Sequence, residues 1–178
     1  MNAFADAPIL AAGFDYWMIL PRVDAIPDRR DVDPVQMPKQ ILSNVALLEI
    51  VDDGADAVFR LAGQEFDENF GVSLKGKTTV ELTDGDYRDY MLNHFRVLMD
   101  NREAVYSESA FRWDFGGHLR TRRILMPLSH GEPGVPAMIF KVQTWPKEEM
   151  RGLPFCDVIA NAKHVGNAPP RVVRRSDE

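Results

Sequence analysis

The sequence predicts an α+β fold: a five-stranded antiparallel sheet with helices on one face and a helical lead-in before it. Two strand-like runs precede two helical segments and three more strand-like runs follow, with tight Gly- or Asp-containing turns inside each group. The chain has 178 residues, 45% of them hydrophobic, which suits one such domain with terminal extensions. We expect a lead-in over 1–44, a core over 45–145 and a partly disordered extension over 146–178.

The lead-in is predicted to contain short helices only. Residues 15–20 (DYWMIL) favour one helix, which Pro21 ends. Asp33 followed by a proline is typical of a helix start, and this predicts a second short helix running toward Ile41.

A β-hairpin is predicted from Val45 onward, where irregular sequence gives way to strand-like runs. The runs VALLEIV (45–51) and AVFRLAG (57–63) flank a turn of sequence DDGAD. In a symmetric hairpin Glu49 lies across from Arg60, and the expected contact is a structural ion pair.

Helical spacing follows the hairpin. Residues 64–71 place Phe66 and Phe70 on one helix face, and Gly71 is a typical C-terminal stop. The segment SLKGKTTVEL is predicted to be a loop. Residues 86–101 carry apolar side chains at intervals of three and four, the strongest amphipathic helix of the sequence.

Three strands are predicted to complete the sheet, over 104–113, 119–128 and 136–145, with a short helix near 156–162 after them. The run 119–128 carries apolar residues on both faces of the strand. Leu119 and Leu125 lie on one face, and Ile124, Met126 and Leu128 lie on the other. The outer sheet face must then be covered, either by residues 9–20 or by a second copy of the chain. We expect a homodimer built with the lead-in helix.

Charge and hydropathy exclude several protein classes. The chain has 21 Lys and Arg against 27 Asp and Glu, a net charge of −6, so a nucleic-acid partner is not expected. It has no apolar run of about 18 residues and no basic leader, which predicts a cytoplasmic protein without a membrane span. Arginines in 119–125 and 170–178 indicate a solvated strand face and a free tail, with an acidic partner or anionic ligand as the alternative.

Several short strings, taken in order, resemble one family. They are DYW, LPR, DVDP, FRLAG, FG, LKGK and MPLS, found between residues 15 and 129, within a resemblance that runs from about 15 to 145. In this order they resemble the bacterial PAS_5-type family of PAS domains. The resemblance implies a PAS-like fold and a small sensory or protein-interaction module in signal transduction, often found alone.

The resemblance implies mainly structural roles for individual residues. Trp17 would pack the lead-in against the sheet, and Arg60 would hold its strand to a carboxylate. Gly63 would supply an unusual backbone conformation where the second strand turns into a helix. Gly71 and Gly76 would end and redirect the segment that follows.

A ligand cavity is predicted between the aromatic helix faces and the sheet. The residues expected to form its wall are Phe66, Phe70, Tyr90, His94 and Tyr106. His94 has two interpretations. It is an axial ligand of a haem, or it is a histidine held by a hydrogen-bond partner, and the second is favoured.

No motif of the sequence predicts catalysis or a metal site. None of the four histidines has metal-ligand spacing with another, and no nucleophile motif occurs. Cys156 follows the last predicted strand, so flavin photochemistry is not expected. The predicted function is a non-catalytic PAS-like module that binds a small ligand, a protein partner or both. Two alternatives stay open: a ligand-free adapter, and a small isomerase or dehydratase that uses His94 with a buried aspartate.

Overall fold

The computed structural model describes residues 6–112, 118–145, 163–167 and 170–174. The helices are α1 (Pro8–Ile19), α2 (Gln64–Phe70), α3 (Thr79–Leu82) and α4 (Gly85–Asn101). The strands are β1 (Arg22–Val23), β2 (Ile26–Pro27), β3 (Val45–Val51), β4 (Asp56–Ala62), β5 (Ala104–Arg112), β6 (His118–Ser129), β7 (Pro136–Thr144), β8 (Lys163–Asn167) and β9 (Arg171–Val173). The predicted short helix near 156–162, with Cys156, lies outside the described residues.

The main sheet has the strand order β4-β3-β7-β6-β5-β8, and β9 also pairs with β5. Every pairing in it is antiparallel. The five predicted strands are β3 to β7, and the predicted α+β fold is confirmed. The sheet is larger than predicted because β8 and β9 extend it at the free edge of β5.

The two faces of this sheet pack against different helices. We call the face toward α2 and α4 the inner face. Its core includes Ala46, Leu48, Phe59, Phe66, Phe95, Leu98, Val105, Leu125 and Ile139. We call the face toward α1 the outer face. Its core includes Leu10, Phe14, Trp17, Leu47, Ile124, Met126, Phe140 and Val142. The alternation along each strand assigns neighbouring residues to opposite faces.

The outer face is covered by α1 of the same chain. Leu10, Phe14 and Trp17 are buried at intervals of four and three along one side of the helix. The Trp17 indole Nε1 donates a hydrogen bond to the Pro127 carbonyl oxygen at 3.0 Å. Of the two coverings considered for this face, residues 9–20 provide it. A homodimer therefore has no support from this face and stays a prediction.

Helix α1 is longer than the predicted segment 15–20. The helix begins at Pro8. A proline is tolerated in the first turn because the backbone N–H that it lacks would have no partner inside the helix. The helix also lies very close to the sheet, since a Cβ on Gly13 would meet Val142 Cγ2 at 2.6 Å. Glycine at this position lets the helix axis approach β7.

Two local predictions are wrong. The segment after Asp33 does not run as a helix toward Ile41, because Pro38 has no backbone N–H to donate to the Pro34 carbonyl oxygen. The contact from the Val35 N–H to Asp33 Oδ1, at 2.9 Å, closes only a turn. A 3-10 helix over Lys39–Asn44 begins only after Pro38. The predicted loop SLKGKTTVEL contains α3, whose start is fixed by the reciprocal hydrogen bonds of a capping box.

Gly63 has an ordinary backbone conformation, φ −71° and ψ 164°, so the predicted unusual dihedral is wrong. Glycine is needed here because there is no room for a side chain. A Cβ there would lie 2.6 Å from the carbonyl oxygen of Leu42 and 2.5 Å from that of Ser43. By contrast, Gly71 ends α2 in the left-handed region at φ 69°, and Gly76 turns the next segment at φ 85°.

The hairpin of β3 and β4 is not symmetric. Glu49 pairs in register with Val58, and a register shift occurs between Leu47 and Leu48. Arg60 therefore reaches Glu49 diagonally, and Arg60 Nε donates to Glu49 Oε2 at 2.5 Å. The ion pair forms between exposed side chains at the sheet edge.

Candidate ligand site on the inner face

Buried polar side chains replace the apolar core at the β5–β6 end of the inner face. We call this group the polar cluster. Its members are His94, Ser107, Ser109, Thr121, Arg123, Lys141 and Gln143, all of them buried. The strand register brings the sheet members together, because Arg123 lies between Ser107 on β5 and Gln143 on β7.

Arg123 is the centre of the polar cluster and is fully buried. Its Nη1 donates to Ser107 Oγ at 3.0 Å. Its Nη2 donates to Ser109 Oγ at 2.8 Å and to Thr121 Oγ1 at 2.6 Å. All three acceptors are neutral hydroxyls, and Arg123 Nε is buried without a hydrogen-bond partner in the described chain.

His94 connects the polar cluster to α4. Its Nδ1 lies 2.7 Å from the carbonyl oxygen of Tyr90, which can only accept, so Nδ1 carries the proton and donates. Nε2 is then the acceptor for the Ser107 hydroxyl, 2.5 Å away. Burial, with the charge of Arg123 as a second cause, lowers the pKa of His94 to about 3. His94 is therefore neutral near pH 7.

Lys141 is the second cation of the inner face. Its Nζ lies 5.9 Å from the ring centroid of Phe59 and 5.6 Å from that of Phe66. Among the described residues it makes no hydrogen bond and no ion pair. Burial, and then the charge of Arg123, lowers the pKa of Lys141 to about 7.

Four of the predicted wall residues lie on the inner side of the sheet. Phe66 and His94 are fully buried there, and Phe70 packs against the same core. The Tyr90 ring stands edge-on to the His94 ring at a centroid distance of 4.4 Å, and its hydroxyl donates to the Glu108 carbonyl oxygen at 3.1 Å. Burial raises the pKa of Tyr90.

Tyr106 lies on the other face, contrary to the prediction. Strand alternation turns Ser107 and Ser109 inward, so Tyr106 points outward into the core beneath α1. Its hydroxyl donates to Glu108 Oε1 at 2.5 Å. Burial, followed by this contact, raises the pKa of Tyr106. It contributes to the outer core instead of the inner wall.

The contacts of His94 do not fit an axial ligand of a haem. An axial imidazole needs one ring nitrogen directed at the iron. Here Nδ1 donates to Tyr90 and Nε2 accepts from Ser107. The structure instead corresponds to the hydrogen-bonded histidine of the two interpretations. Across the described parts of the chain, no group of three or more His, Cys, Asp or Glu residues is arranged to hold a metal ion.

The sequence prediction missed Arg123 and Lys141. Arg123 belongs to a basic run that predicts a solvated strand face, yet it is buried on the inner side, and its neighbour Arg122 lies on the outer side. Lys141 interrupts the apolar run MIFKV of a central strand. A buried cation could have been predicted from that isolated charge. Ser107 and Ser109 carry no signal of their own in the sequence, because serines are ordinary residues in a strand exposed on one face.

A second concave region lies at the C-terminal end of α1. It is an open cleft of about 560 Å³ bordered by Tyr16, residues 19–21, residues 30–34 and Gln36. Two of its polar side chains have partners: Arg30 pairs with Asp28 at 2.9 Å, and the Tyr16 hydroxyl donates to the Asp33 carbonyl oxygen at 3.2 Å. The polar cluster, with its uncompensated charge, is the stronger candidate site.

Comparisons with known proteins find one matching family model and several similar solved structures. A family model described as PAS domain matches residues 6–140. The structure is similar to a light-oxygen-voltage (LOV) protein of Rhodobacter sphaeroides, with 15% identity and a TM-score of 0.43 over 60% of this chain and 63% of that one. It is also similar to an RNA-binding light-oxygen-voltage receptor, with 16% identity and a TM-score of 0.41 over 78% of this chain and 41% of that one. The chain thus spans less than two thirds of either structure.

A sequence comparison with curated proteins finds no match. Within the described residues, no helix has the length and apolar character that crossing a membrane requires.

Proposed function

The chain belongs to the PAS domain family, and from that premise we propose that it is a non-catalytic sensory module that binds a small ligand at the polar cluster and signals to a protein partner. One observation carries this proposal. Arg123, a charged side chain with an unused donor, is fully buried in the layer between the sheet and its helices. An interior polar group without a partner is costly unless something binds it.

The strand pairing supports an output through the C-terminal extension, residues 146–178. Strand β5 supplies Ser107 and Ser109 to the polar cluster. The other edge of β5 pairs with β8 and β9, with Ser109 opposite Asn167. A ligand that moves the β5 hydroxyls therefore changes the edge on which the C-terminal strands pair. A ligand can shift the equilibrium between two arrangements of β8 and β9 only by the difference between its binding free energies for them.

A ligand-free adapter is the second candidate function. The observation that favours it is that Arg123 and His94 already have hydroxyl partners inside the chain. In this alternative the layer is filled by its own side chains, and the protein acts only by binding a partner. The isomerase or dehydratase alternative has no such support, because the described hydrogen-bond partners of His94 are Tyr90 and Ser107 and neither is an aspartate.

The proposal is tested on the full chain, freshly purified, by native mass spectrometry together with a visible absorption spectrum. We expect an additional mass that is released on denaturation. Hydrogen exchange in β8 and β9 should then be slower in the loaded protein than in the protein stripped of that mass. The exposed-pair variant Glu49→Gln, far from the polar cluster, is the control and should retain the same mass.

The same measurements can also contradict the sensory proposal. A clean mass of the chain alone, with identical exchange in β8 and β9 after incubation with a small-molecule extract of the source cells, contradicts the sensory proposal. Capture of a protein partner by that same apo chain then establishes the adapter alternative.

A further inference from the structure

The polar cluster holds two buried cations and no described carboxylate. The acidic side chains of neighbouring elements have other contacts. Glu108 accepts from Tyr106 and faces Arg122 on the outer side. Asp67 of α2 accepts from the Leu74 backbone N–H at 2.9 Å. The positive charge of the inner face is therefore not balanced within the described part of the chain.

Neutral hydroxyls stabilise a guanidinium without neutralising it. Burial of an ion costs several kcal/mol unless an opposite charge or a full set of hydrogen bonds compensates it. Arg123 has hydroxyls on both Nη atoms, but its Nε donor is unused. Lys141 has two aromatic rings beside its ammonium, which can bind three acceptors and meets none among the described residues.

The two cations lie on the same face of adjacent strands. In the β6–β7 register Arg123 pairs with Gln143, and Lys141 pairs with Leu125, so the two positions are diagonal neighbours. Each is close enough to the other that the charge of Arg123 disfavours the charged form of Lys141. An oxyanion bound by the Arg123 Nε donor, which has no partner among the described residues, would also interact with the charge of the Lys141 ammonium.

We propose that Arg123 and Lys141 form a binding site for an oxyanion, a carboxylate or phosphate group of a small ligand. This inference rests on the proposed sensory function and specifies the chemistry of its ligand. A guanidinium presents planar, paired donors that match such oxygens, and an ammonium adds a compact charge. The apolar surroundings from Phe59 and Phe66 would contact the non-polar part of the ligand.

The test measures thermal unfolding and binding calorimetry of the full chain with acetate, succinate and inorganic phosphate. Chloride at equal ionic strength is the reference, and glycerol is the uncharged control. We expect at least one oxyanion to raise the Tm in a saturable way. A response to the carboxylates alone assigns the site to carboxylate ligands, and a response to phosphate alone assigns it to phosphate ligands.

Matched variants locate the site. Arg123→Met and Lys141→Met keep an unbranched apolar side chain of similar length and remove the charged group. Each should weaken oxyanion binding by about thirty-fold or more. Glu49→Gln, at the exposed pair, should bind as the wild type does. If a methionine variant does not fold, Arg123→Lys provides the second test, because it keeps the charge but loses the planar donors and should still weaken binding.

Two results would overturn the inference. One is a wild-type Tm that responds to no oxyanion beyond the chloride reference. The other is a ligand that co-purifies with the wild type and binds Arg123→Met equally well. The second result leaves the sensory function intact and removes only the anionic chemistry, whereas an apo chain with unchanged exchange in β8 and β9 contradicts the sensory function itself.

Discussion

Arg122 and Arg123 are adjacent in sequence and lie on opposite faces of the same sheet. Arg122 is on the outer side, partly accessible, with Asp6 at 2.9 Å and Glu108 at 3.5 Å. Arg123 is on the inner side, fully buried, with hydroxyls alone. The outer face is thus closed by an apolar helix and its charges are compensated, whereas the inner face retains uncompensated charge. This difference is the basis of the proposal made above, in which the outer face serves stability and the inner face serves binding.

Phe14→Ala should give the largest effect, because it removes a fully buried ring from the outer core. We expect the free energy of unfolding to fall by about 3–5 kcal/mol, measured by urea denaturation. The oxyanion response of the protein that remains folded should be unchanged. A loss below about 1 kcal/mol, or a selective loss of the oxyanion response, would contradict the division between the faces.

Acidification should act on the inner face through His94. The folded pKa of His94 is about 3 against 6.5 in the unfolded chain, so the unfolded state binds more protons between these values and stability falls as the pH is lowered. Between pH 6.5 and 5 this contribution is about 2 kcal/mol. The difference in unfolding free energy between wild type and His94→Gln measures it, because glutamine does not titrate. A pH-independent difference would show that His94 is not held neutral by burial.

Lys141→Met should stabilise the protein when chloride is the only anion. The folded pKa of Lys141 is about 7 against 10.5, so its penalty is fully present below pH 7 and is relieved as the pH rises toward 10.5. We expect a gain of roughly 1–3 kcal/mol below pH 7, declining at alkaline pH. Urea denaturation at several pH values checks this. A destabilised variant at every pH would indicate that the ammonium is compensated within the chain.

Glu49→Gln should have the smallest effect. The pair with Arg60 joins two substantially exposed side chains at the edge of the sheet. Surface pairs of this kind contribute about 0.2–1 kcal/mol, and salt weakens them. Urea denaturation at low and high salt should give a difference within that range which decreases as salt is added. A larger, salt-independent loss would mean that Glu49 has a role beyond this pair.

The sequence allowed the sheet to be predicted because alternation and tight turns are local signals. The hairpin of β3 and β4 is predicted from its strand-like runs and the turn between them, and α4 is predicted from another local signal, apolar residues spaced three and four apart. The face to which a residue belongs is not local: Tyr106 was placed on the inner wall because its strand carries no mark of which side α4 will cover. For the same reason Arg123 and Lys141 were missed, since a charged residue on a strand is buried or solvated according to what packs on it.

The C-terminal strands show a second limit of prediction. Residues 163–167 and 171–173 carry little strand pattern, and they form strands because the free edge of β5 offers unpaired backbone groups. Tertiary context thus sets their structure more than composition does. In contrast, the capping box of α3 is a readable signal (Thr78 with Glu81) that the interpretation as a loop overlooked.

The hydrogen bond from His94 to Tyr90 has a mechanical consequence for α4. The Tyr90 carbonyl already belongs to the backbone ladder of this helix, and it accepts the imidazole N–H as a second donor. Side chains that compete for a ladder carbonyl bend helices. We therefore expect a displacement of Ser107 to change the curvature of α4 near His94, and the infrared frequency of an isotope-labelled Tyr90 carbonyl would record it.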